Sequence, residues 1–155
     1  MAETNIQELH NQDFNLWVEK IKQKIQERDF ADMDWDNLLD EIDDMGKSEK
    51  RSLESYLQRL IEHIFKLKYW ESERERNYRH GCAEVANFRN QINRLLKRNP
   101  SFKKYLAEIY SEIFIEVLQV RSLEFDIPDH VFIELELIMQ PNYFGENNCK
   151  PPKFG

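Results

Sequence analysis

Residues that turn the chain are scarce in this sequence. Only four of its 155 residues are glycine and five are proline, and three of the prolines lie at positions 141, 151 and 152. Many short strands would need glycine, proline or similar residues at regular intervals. Their scarcity argues against such a fold and favours helices. With 41% hydrophobic and 33% charged residues, the chain suits one helical domain with much solvated surface.

Long apolar runs and paired cysteine motifs are also missing. No run of 18 apolar residues occurs, which predicts no membrane span. The first ten residues, MAETNIQELH, lack the apolar core of a signal peptide, so we expect a cytoplasmic protein. Cys82 and Cys149 have neither CxxC nor zinc-finger spacing. Without an export signal, we expect both to be free thiols.

The common motifs of catalysis and cofactor binding do not occur. The chain has no HExxH, GxGxxG, Walker A, GxSxG or EF-hand pattern. None of its four histidines follows a glutamate by three residues, as a di-iron helical bundle would require. We therefore expect neither a metal nor a cofactor, and we regard a non-enzyme as the better hypothesis.

Apolar residues repeat every three or four positions in five segments, which is the spacing of one helix face. The segments are residues 12–28, 34–45, 49–70, 74–98 and 102–124. They predict an all-α bundle of about five helices over residues 11–140, with the last three helices at its centre. Residues 1–10 are expected to be flexible and residues 141–155 irregular. Residues 131–139 alternate in polarity and fit either a short helix or an extended segment.

The densest acidic run, EIDDMGKSEK at residues 41–50, raises the question of a metal or acid–base site. Gly46 suits the residue after a helix C-terminus, and Ser48 suits the N-cap of the next helix. One unbroken helix is the alternative, because an interior glycine costs only about 1 kcal/mol. The carboxylates spread around the solvent side instead of converging, which favours a solvated face. Glu41 lies nearest the apolar stripe, so we expect an ionic partner for it on another helix.

His63 is the histidine nearest a predicted core stripe. The simpler interpretation is a histidine at the core boundary that forms a hydrogen bond with a neighbouring helix. The alternative is a base or ligand partnered by a carboxylate from elsewhere, with Glu41 or Glu116 as candidates. His63, Glu41 and Glu116 are thus the candidate catalytic residues of a helical-bundle hydrolase or metal-dependent protein.

The charge of the chain, −7 overall, is unevenly distributed. Residues 1–50 hold 6 basic and 14 acidic side chains, residues 74–104 hold 9 and 2, and residues 105–155 hold 3 and 9. The outer face of the fourth predicted helix carries the candidate binding residues Arg76, Arg79, Arg94, Lys97 and Arg98. A solvated or internally docked face is the simpler interpretation. The alternative is binding of phosphate or of an acidic partner, and a nucleic-acid partner is weakened by the acidic surroundings and by the lack of aromatic residues on that face.

A protein-interaction module is the function that these observations favour. The fifth predicted helix has a wide apolar stripe, and Ile115 points away from it, so we expect Ile115 to be exposed in a monomer. A patch of Ile115 with Leu118 would offer a second surface to a partner. The partner would be another protein or a second copy of the chain.

The sequence contains five short motifs: Asp13-Phe14-x-x-Trp17, the run Glu41-Ile42-x-x-Met45-Gly46-x-Ser48-Glu49-x-Arg51-x-Leu53, His63-x-x-Lys66, Arg89-x-x-Ile92 and Asn99-Pro100-Ser101. Together they resemble domain-of-unknown-function family 29, a bacterial and mainly cyanobacterial family. The resemblance covers about residues 10–140. It implies an all-helical cytoplasmic domain and carries over no activity and no catalytic residue.

Overall fold

The computed structural model describes residues 5–146 and 148–150. Within these residues the chain forms helices and no strand, which confirms the all-α prediction. The helices are α1 (Ile6–Gln12), α2 (Phe14–Gln26), α3 (Trp35–Tyr69), α4 (Glu71–Arg98), α5 (Phe102–Arg121) and α6 (Leu135–Ile138). None of them is long and apolar enough to cross a membrane, as far as the described residues go.

Two capping side chains create two short helices near the beginning of the chain. The Asn5 side chain accepts a hydrogen bond from the backbone N–H of Gln7 at 2.9 Å. Asp13 ends α1 and caps α2, because its carboxylate accepts the N–H of Leu16 at 3.1 Å. Such caps satisfy donors that a helix N-terminus leaves free. A helix therefore occupies residues 6–12, where the hydrophobic pattern predicted none.

Helix α3 continues without interruption through the acidic run. Gly46 and Ser48 both lie inside it, so the break predicted at Gly46 and the N-cap predicted at Ser48 are wrong. The cost of one interior glycine, about 1 kcal/mol, is spread over a helix of 35 residues. Good helix formers on both sides of Gly46 outweigh that cost.

The other helix ends differ modestly from the sequence pattern. Helix α4 begins at Glu71 and contains non-helical dihedral angles at Asn77, with φ −133° and ψ 26°. Ser101 precedes α5 as predicted, but its side chain forms no capping hydrogen bond. Helix α5 ends at Arg121, earlier than the pattern suggested. The alternating segment of residues 131–139 contains the short helix α6, and the residues before it are non-helical, with Glu134 in the extended region.

The chain divides into two compact units, the first ending at Ser48 and the second beginning at Glu49. The core of the first unit consists of Leu9, Trp17, Ile21 and Met33. The core of the second unit contains buried residues of α3, α4 and α5, as predicted, including the fully buried Leu60. The segment after α5 adds Ile138 and Phe144 to this core.

Arg89 attaches the C-terminal segment to α4. Its side chain is almost fully buried and donates hydrogen bonds to the carbonyl oxygens of Ile138 at 3.0 and 3.1 Å and of Pro141 at 3.2 Å. It also donates to the carbonyl oxygen of Tyr143, and it lies over the ring of Phe144. The predicted irregular tail therefore begins with residues that pack in the core.

A disulfide joins Cys82 in α4 to Cys149, with the two Cα atoms 5.6 Å apart. The expectation of two free thiols is therefore wrong. The cysteines are 67 residues apart in sequence, and they meet because the C-terminal segment returns to α4. Motifs such as CxxC detect only cysteines that are a few residues apart, so they could not predict this pair.

Candidate functional site

The first unit leaves one side of α3 uncovered. The α3 stripe consists of Trp35, Leu39, Ile42 and Met45, whose exposed fractions are 49, 61, 54 and 68%. These residues follow one another at intervals of three or four and therefore share one helix face. The sequence pattern treats this face as core-facing. In the structure only Leu38, at its edge, packs against the small core of the first unit.

Helix α2 is likewise covered on only part of its surface. Trp17 and Ile21 are buried, whereas Phe14, Val18 and Ile25 are 51, 40 and 45% exposed. Of the fourteen exposed large apolar side chains among the described residues, nine belong to the first unit. Single exposed apolar residues are ordinary, but a concentration of them marks an interaction surface.

A row of aspartates runs along the solvent side of α3, from the flank of the α3 stripe at Asp36 to the side opposite the stripe at Asp44. Asp36, Asp40 and Asp44 are spaced four residues apart, so their carboxylates lie along one side of the helix. None of the three forms an ion pair or a side-chain hydrogen bond among the described residues. Their neighbour Asp43 does, since its carboxylate lies 2.7 Å from Nζ of Lys47. We call Asp36, Asp40 and Asp44 the aspartate row.

Glu41 has the ionic partner that its position predicted. Its Oε1 atom lies 2.7 Å from Nε2 of His10 in α1. This hydrogen bond raises the pKa of His10 above its usual value, because the carboxylate stabilises the protonated imidazole. The His10 ring also packs edge-on against Trp17, with the ring centroids 4.7 Å apart. Glu41 thus joins two helices within the first unit.

His63 lies half-buried in the second unit and stacks on Phe88 of α4, with ring centroids 5.4 Å apart. It forms no hydrogen bond among the described residues, so the bond predicted to a neighbouring helix is wrong. Burial lowers the pKa of His63, and the charge of Lys66 lowers it further. The carboxylates that raise this pKa are Glu84 and Glu62.

The two carboxylates predicted as partners of His63 have other surroundings in the structure. Glu41 bonds to His10 in the first unit, and Glu116 is exposed on α5. His63 instead lines a cavity of about 250 Å³ beside the bend in α4. The other lining residues are Lys66, Leu67, Glu73, Arg74, Asn77, His80 and Gly81. Some of its nitrogen-bearing side chains could have been found as the pairs His63-x-x-Lys66 and Asn77-x-x-His80, but not as one group.

All five residues predicted to form the basic face of α4 are exposed. Arg98 forms an ion pair with Glu49 at 3.1 Å, and Glu49 also accepts a hydrogen bond from Asn99 at 2.6 Å. No large apolar side chain of α4 is exposed. This face therefore presents charged side chains without large exposed apolar ones.

The apolar patch predicted on α5 is smaller than expected. Ile115 is 49% exposed, as predicted. Leu118, however, packs against the core of the second unit. The large exposed surface lies instead on the α3 stripe, which the sequence pattern identified as a stripe without showing that it is uncovered.

Comparison with known protein families identifies the family of this chain. Residues 9–144 match the model of the domain of unknown function DUF29, so the chain belongs to that family. No curated protein and no solved structure matches it.

Proposed function

We propose that this member of the DUF29 family is a protein-interaction module whose docking surface is the α3 stripe. The occupant that fits this surface is a basic amphipathic helix of another protein. The observation that carries the proposal is the exposure of four large apolar side chains, each about half exposed or more, along one helix face.

An uncovered apolar face gains free energy when a partner covers it. Burial of apolar surface contributes roughly 25 cal/mol for each Å² removed from water. The α3 stripe presents its side chains at the spacing of a helix, and a second helix is the element that packs into such a row. A helical partner would therefore use all four side chains at once.

Gly46 supports the close approach of such a partner. It follows Ile42 by four residues and Leu39 by seven, so it lies on the same face as the α3 stripe. Apart from Gly46 itself, its two chain neighbours and the nearby backbone of α3, no atom lies within 4 Å of the place that a Cβ would occupy at Gly46. Within the chain, then, no packing contact requires a glycine there. A partner helix that crosses α3 at this point would require a glycine there.

The aspartate row indicates the charge of the partner. Like charges four residues apart on a helix repel each other and destabilise it by a few tenths of a kcal/mol per pair. In the described part of the chain no cation offsets Asp36, Asp40 or Asp44. Lysine or arginine along one edge of the docked helix would lie nearest Asp36 and would favour that helix over acidic competitors.

A second copy of the chain fits this surface poorly. Symmetric pairing of two α3 stripes would bring two acidic segments together, since residues 1–50 hold 14 acidic and 6 basic side chains. The basic face of α4 would supply the charge, but α4 exposes no large apolar side chain for the stripe to cover. Self-association of the chain through the α3 stripe would therefore contradict the proposal.

The test is site-specific photo-crosslinking in a nuclease-treated native lysate. A photoreactive amino acid replaces Ile42 in one variant and Ile115 in a matched control, two residues that are 54 and 49% exposed. We expect a cross-linked protein only from position 42. The cross-linked segment should have an amphipathic helical pattern with lysine or arginine along one edge. Its synthetic peptide should bind the wild-type chain and lose affinity when the aspartate row is changed to asparagine.

Three outcomes would contradict the proposal. One is equal cross-linking from both positions, and another is a cross-linked segment without basic residues. The third is cross-linking between two copies of the chain, with a dimer in sedimentation at the same concentration. Each of these would remove the basic helix as the occupant of the α3 stripe.

The basic face of α4 supports a rival partner, nucleic acid, because its five cations are exposed. Binding there would weaken steeply as salt concentration rises. An Arg94→Glu, Lys97→Glu double variant would abolish it and leave cross-linking from position 42 unchanged. Salt-sensitive binding of a generic duplex by the wild type, lost in the double variant, would favour this rival.

The enzyme alternative keeps one favourable observation, the cavity that His63 lines beside Lys66, Arg74 and His80. A half-buried imidazole with a lowered pKa is neutral near pH 7 and could act as a base. Activity screening of the wild type against His63→Ala tests this alternative. An activity that His63→Ala abolishes while folding is kept would establish it.

A further inference from the structure

Three side chains that commonly bind metals meet where the C-terminal segment returns to α4. Cys82 lies in α4, and Glu146 and Cys149 lie near the end of the described chain. Their two sulfur atoms and one carboxylate oxygen all lie within 4.8 Å of one another. We propose that Cys82, Cys149 and Glu146 form a redox-controlled zinc site. The reduced pair with Glu146 binds Zn²⁺, and the disulfide form does not.

The set of donor atoms selects the metal. Two thiolates and one carboxylate suit Zn²⁺, which accepts sulfur, nitrogen and oxygen ligands in tetrahedral sites. Ca²⁺ and Mg²⁺ take oxygen ligands only, and iron–sulfur clusters are commonly held by four cysteines. Three protein ligands leave a fourth position for water, so the bound zinc should exchange with the solution.

Glu146 is held in place by the backbone that follows it. Its Oε1 atom accepts hydrogen bonds from the N–H groups of Asn148 at 2.8 Å and Cys149 at 2.6 Å, and lies 3.9 Å from Sγ of Cys82. Within the described residues no hydrogen bond reaches its second oxygen, Oε2. That oxygen is available to a metal, and hydrogen bonds that orient a ligand in this way strengthen a site.

The three ligands should stay together when the disulfide is reduced. Arg89 binds the carbonyl oxygens of Ile138, Pro141 and Tyr143, so it retains the C-terminal segment on α4 independently of the cysteines. Reduction therefore leaves Cys149 close to Cys82. The entropic cost of bringing the ligands together is small for this reason.

The switch between the two forms is a balanced thiol–disulfide exchange. Two cysteine thiolates each lose one electron and form the S–S bond. The two electrons pass to a small-molecule disulfide such as oxidised glutathione, which takes up two protons and leaves as two thiols. Zn²⁺ returns to water in the same step, because a disulfide lacks the thiolates that hold it.

The first measurement is metal content of the untagged full chain, reduced with a phosphine and dialysed against Zn²⁺. We expect one zinc per chain, and Co²⁺ in its place should give a thiolate charge-transfer band. Cys82→Ser and Cys149→Ser should lose the metal. Glu146→Gln should bind zinc about tenfold more weakly or worse. Glu136→Gln, an exposed glutamate in the same segment, is the matched control and should bind as the wild type does.

The second measurement adds oxidised glutathione to the zinc-bound chain. We expect release of the zinc together with formation of the Cys82–Cys149 disulfide, detected by peptide mass spectrometry. The proposal is overturned if the reduced chain retains no zinc, or if both serine variants bind as well as the wild type. If a serine variant fails to fold, the charge-transfer band and Glu146→Gln still decide.

Discussion

Two buried polar residues, Asp34 and Arg89, have specific partners in this chain, and these contacts position the less regular segments. Asp34 is 1% exposed and accepts hydrogen bonds from the Trp17 indole at 3.0 Å and from the Asn37 amide at 2.7 Å. Arg89 is 3% exposed and binds three backbone carbonyl oxygens. Burial of a polar group without such partners would cost free energy.

Replacing Arg89 should destabilise the second unit strongly. Arg89→Met leaves the carbonyl oxygens of Ile138, Pro141 and Tyr143 without their donor inside the protein. Burial lowers the pKa of Arg89 to about 10, so the side chain is still charged at pH 7 and its hydrogen bonds are charge-assisted. We expect a loss of about 3 kcal/mol or more in the free energy of unfolding, measured with urea.

Arg94→Met is the control for this prediction, because Arg94 is exposed on the same helix. It should change the free energy of unfolding by less than about 0.5 kcal/mol. Equal effects of the two substitutions would show that Arg89 does not hold the C-terminal segment.

The contribution of His10 to the stability of the first unit and that of His63 to the second should change with pH in opposite directions. The pKa of His10 is raised above 6.5 by its hydrogen bond to Glu41. Its stabilising contribution is therefore complete below about pH 6.5 and is lost as pH rises through the raised pKa. The pKa of His63 is lowered by burial. Its contribution is present above about pH 6.5 and is lost as pH falls through the lowered pKa.

Titration of the imidazole protons by nuclear magnetic resonance measures both shifts directly. We expect the midpoint of His10 above that of a free histidine and the midpoint of His63 below it. Glu41→Gln should remove the upward shift of His10 without moving the midpoint of His63. Coincident midpoints for the two residues in the wild type would contradict both assignments.

At the scale of the helices, local sequence patterns predicted most of what the structure contains. The repeat of Leu53, Leu57, Leu60 and Ile64 in α3 appears as a buried stripe because a 3.6-residue period leaves few alternatives. Helix ends were less predictable. The sequence around Gly46 resembles a helix C-terminus. The cost of an interior glycine, about 1 kcal/mol, is nevertheless too small to end a helix that the neighbouring residues favour.

Gly46→Ala tests the interpretation of α3 at this scale. Apart from Gly46 itself, its two chain neighbours and the nearby backbone of α3, no atom lies within 4 Å of the added Cβ, so alanine should raise the free energy of unfolding by about 1 kcal/mol through helix propensity. The same substitution should weaken binding of the basic helix, because the methyl group keeps the partner from approaching closely. Destabilisation in a urea titration, or unchanged partner affinity, would contradict this role of Gly46.

At the scale of the whole molecule, features that depend on distant residues could not be predicted. The pairing of Cys82 with Cys149 depends on the return of the C-terminal segment to α4. The cavity beside His63 depends on the bend at Asn77. A hydrophobic stripe indicates a face to be covered, but not whether the chain itself covers it, and this is why the exposure of the α3 stripe was missed.

The distribution of charge gives the whole chain two distinct surfaces. In the first unit an apolar stripe and an acidic row run along α3, whereas α4 carries cations without exposed large apolar residues. The first combination suits a basic amphipathic helix, since burial supplies affinity and charge supplies selectivity. The central claim is therefore that the α3 stripe is reserved for a partner and contributes little to the stability of the chain itself.

The most direct test is a Leu39→Gln, Ile42→Gln double variant, with the affinity for the cross-linked basic helix and the free energy of unfolding measured together. Glutamine keeps helix propensity and removes the apolar surface. We predict an affinity at least about tenfold lower and a free energy of unfolding within about 0.5 kcal/mol of the wild type. Ile115→Gln should change neither quantity. A loss of more than about 2 kcal/mol in the free energy of unfolding, or unchanged affinity, would contradict the claim.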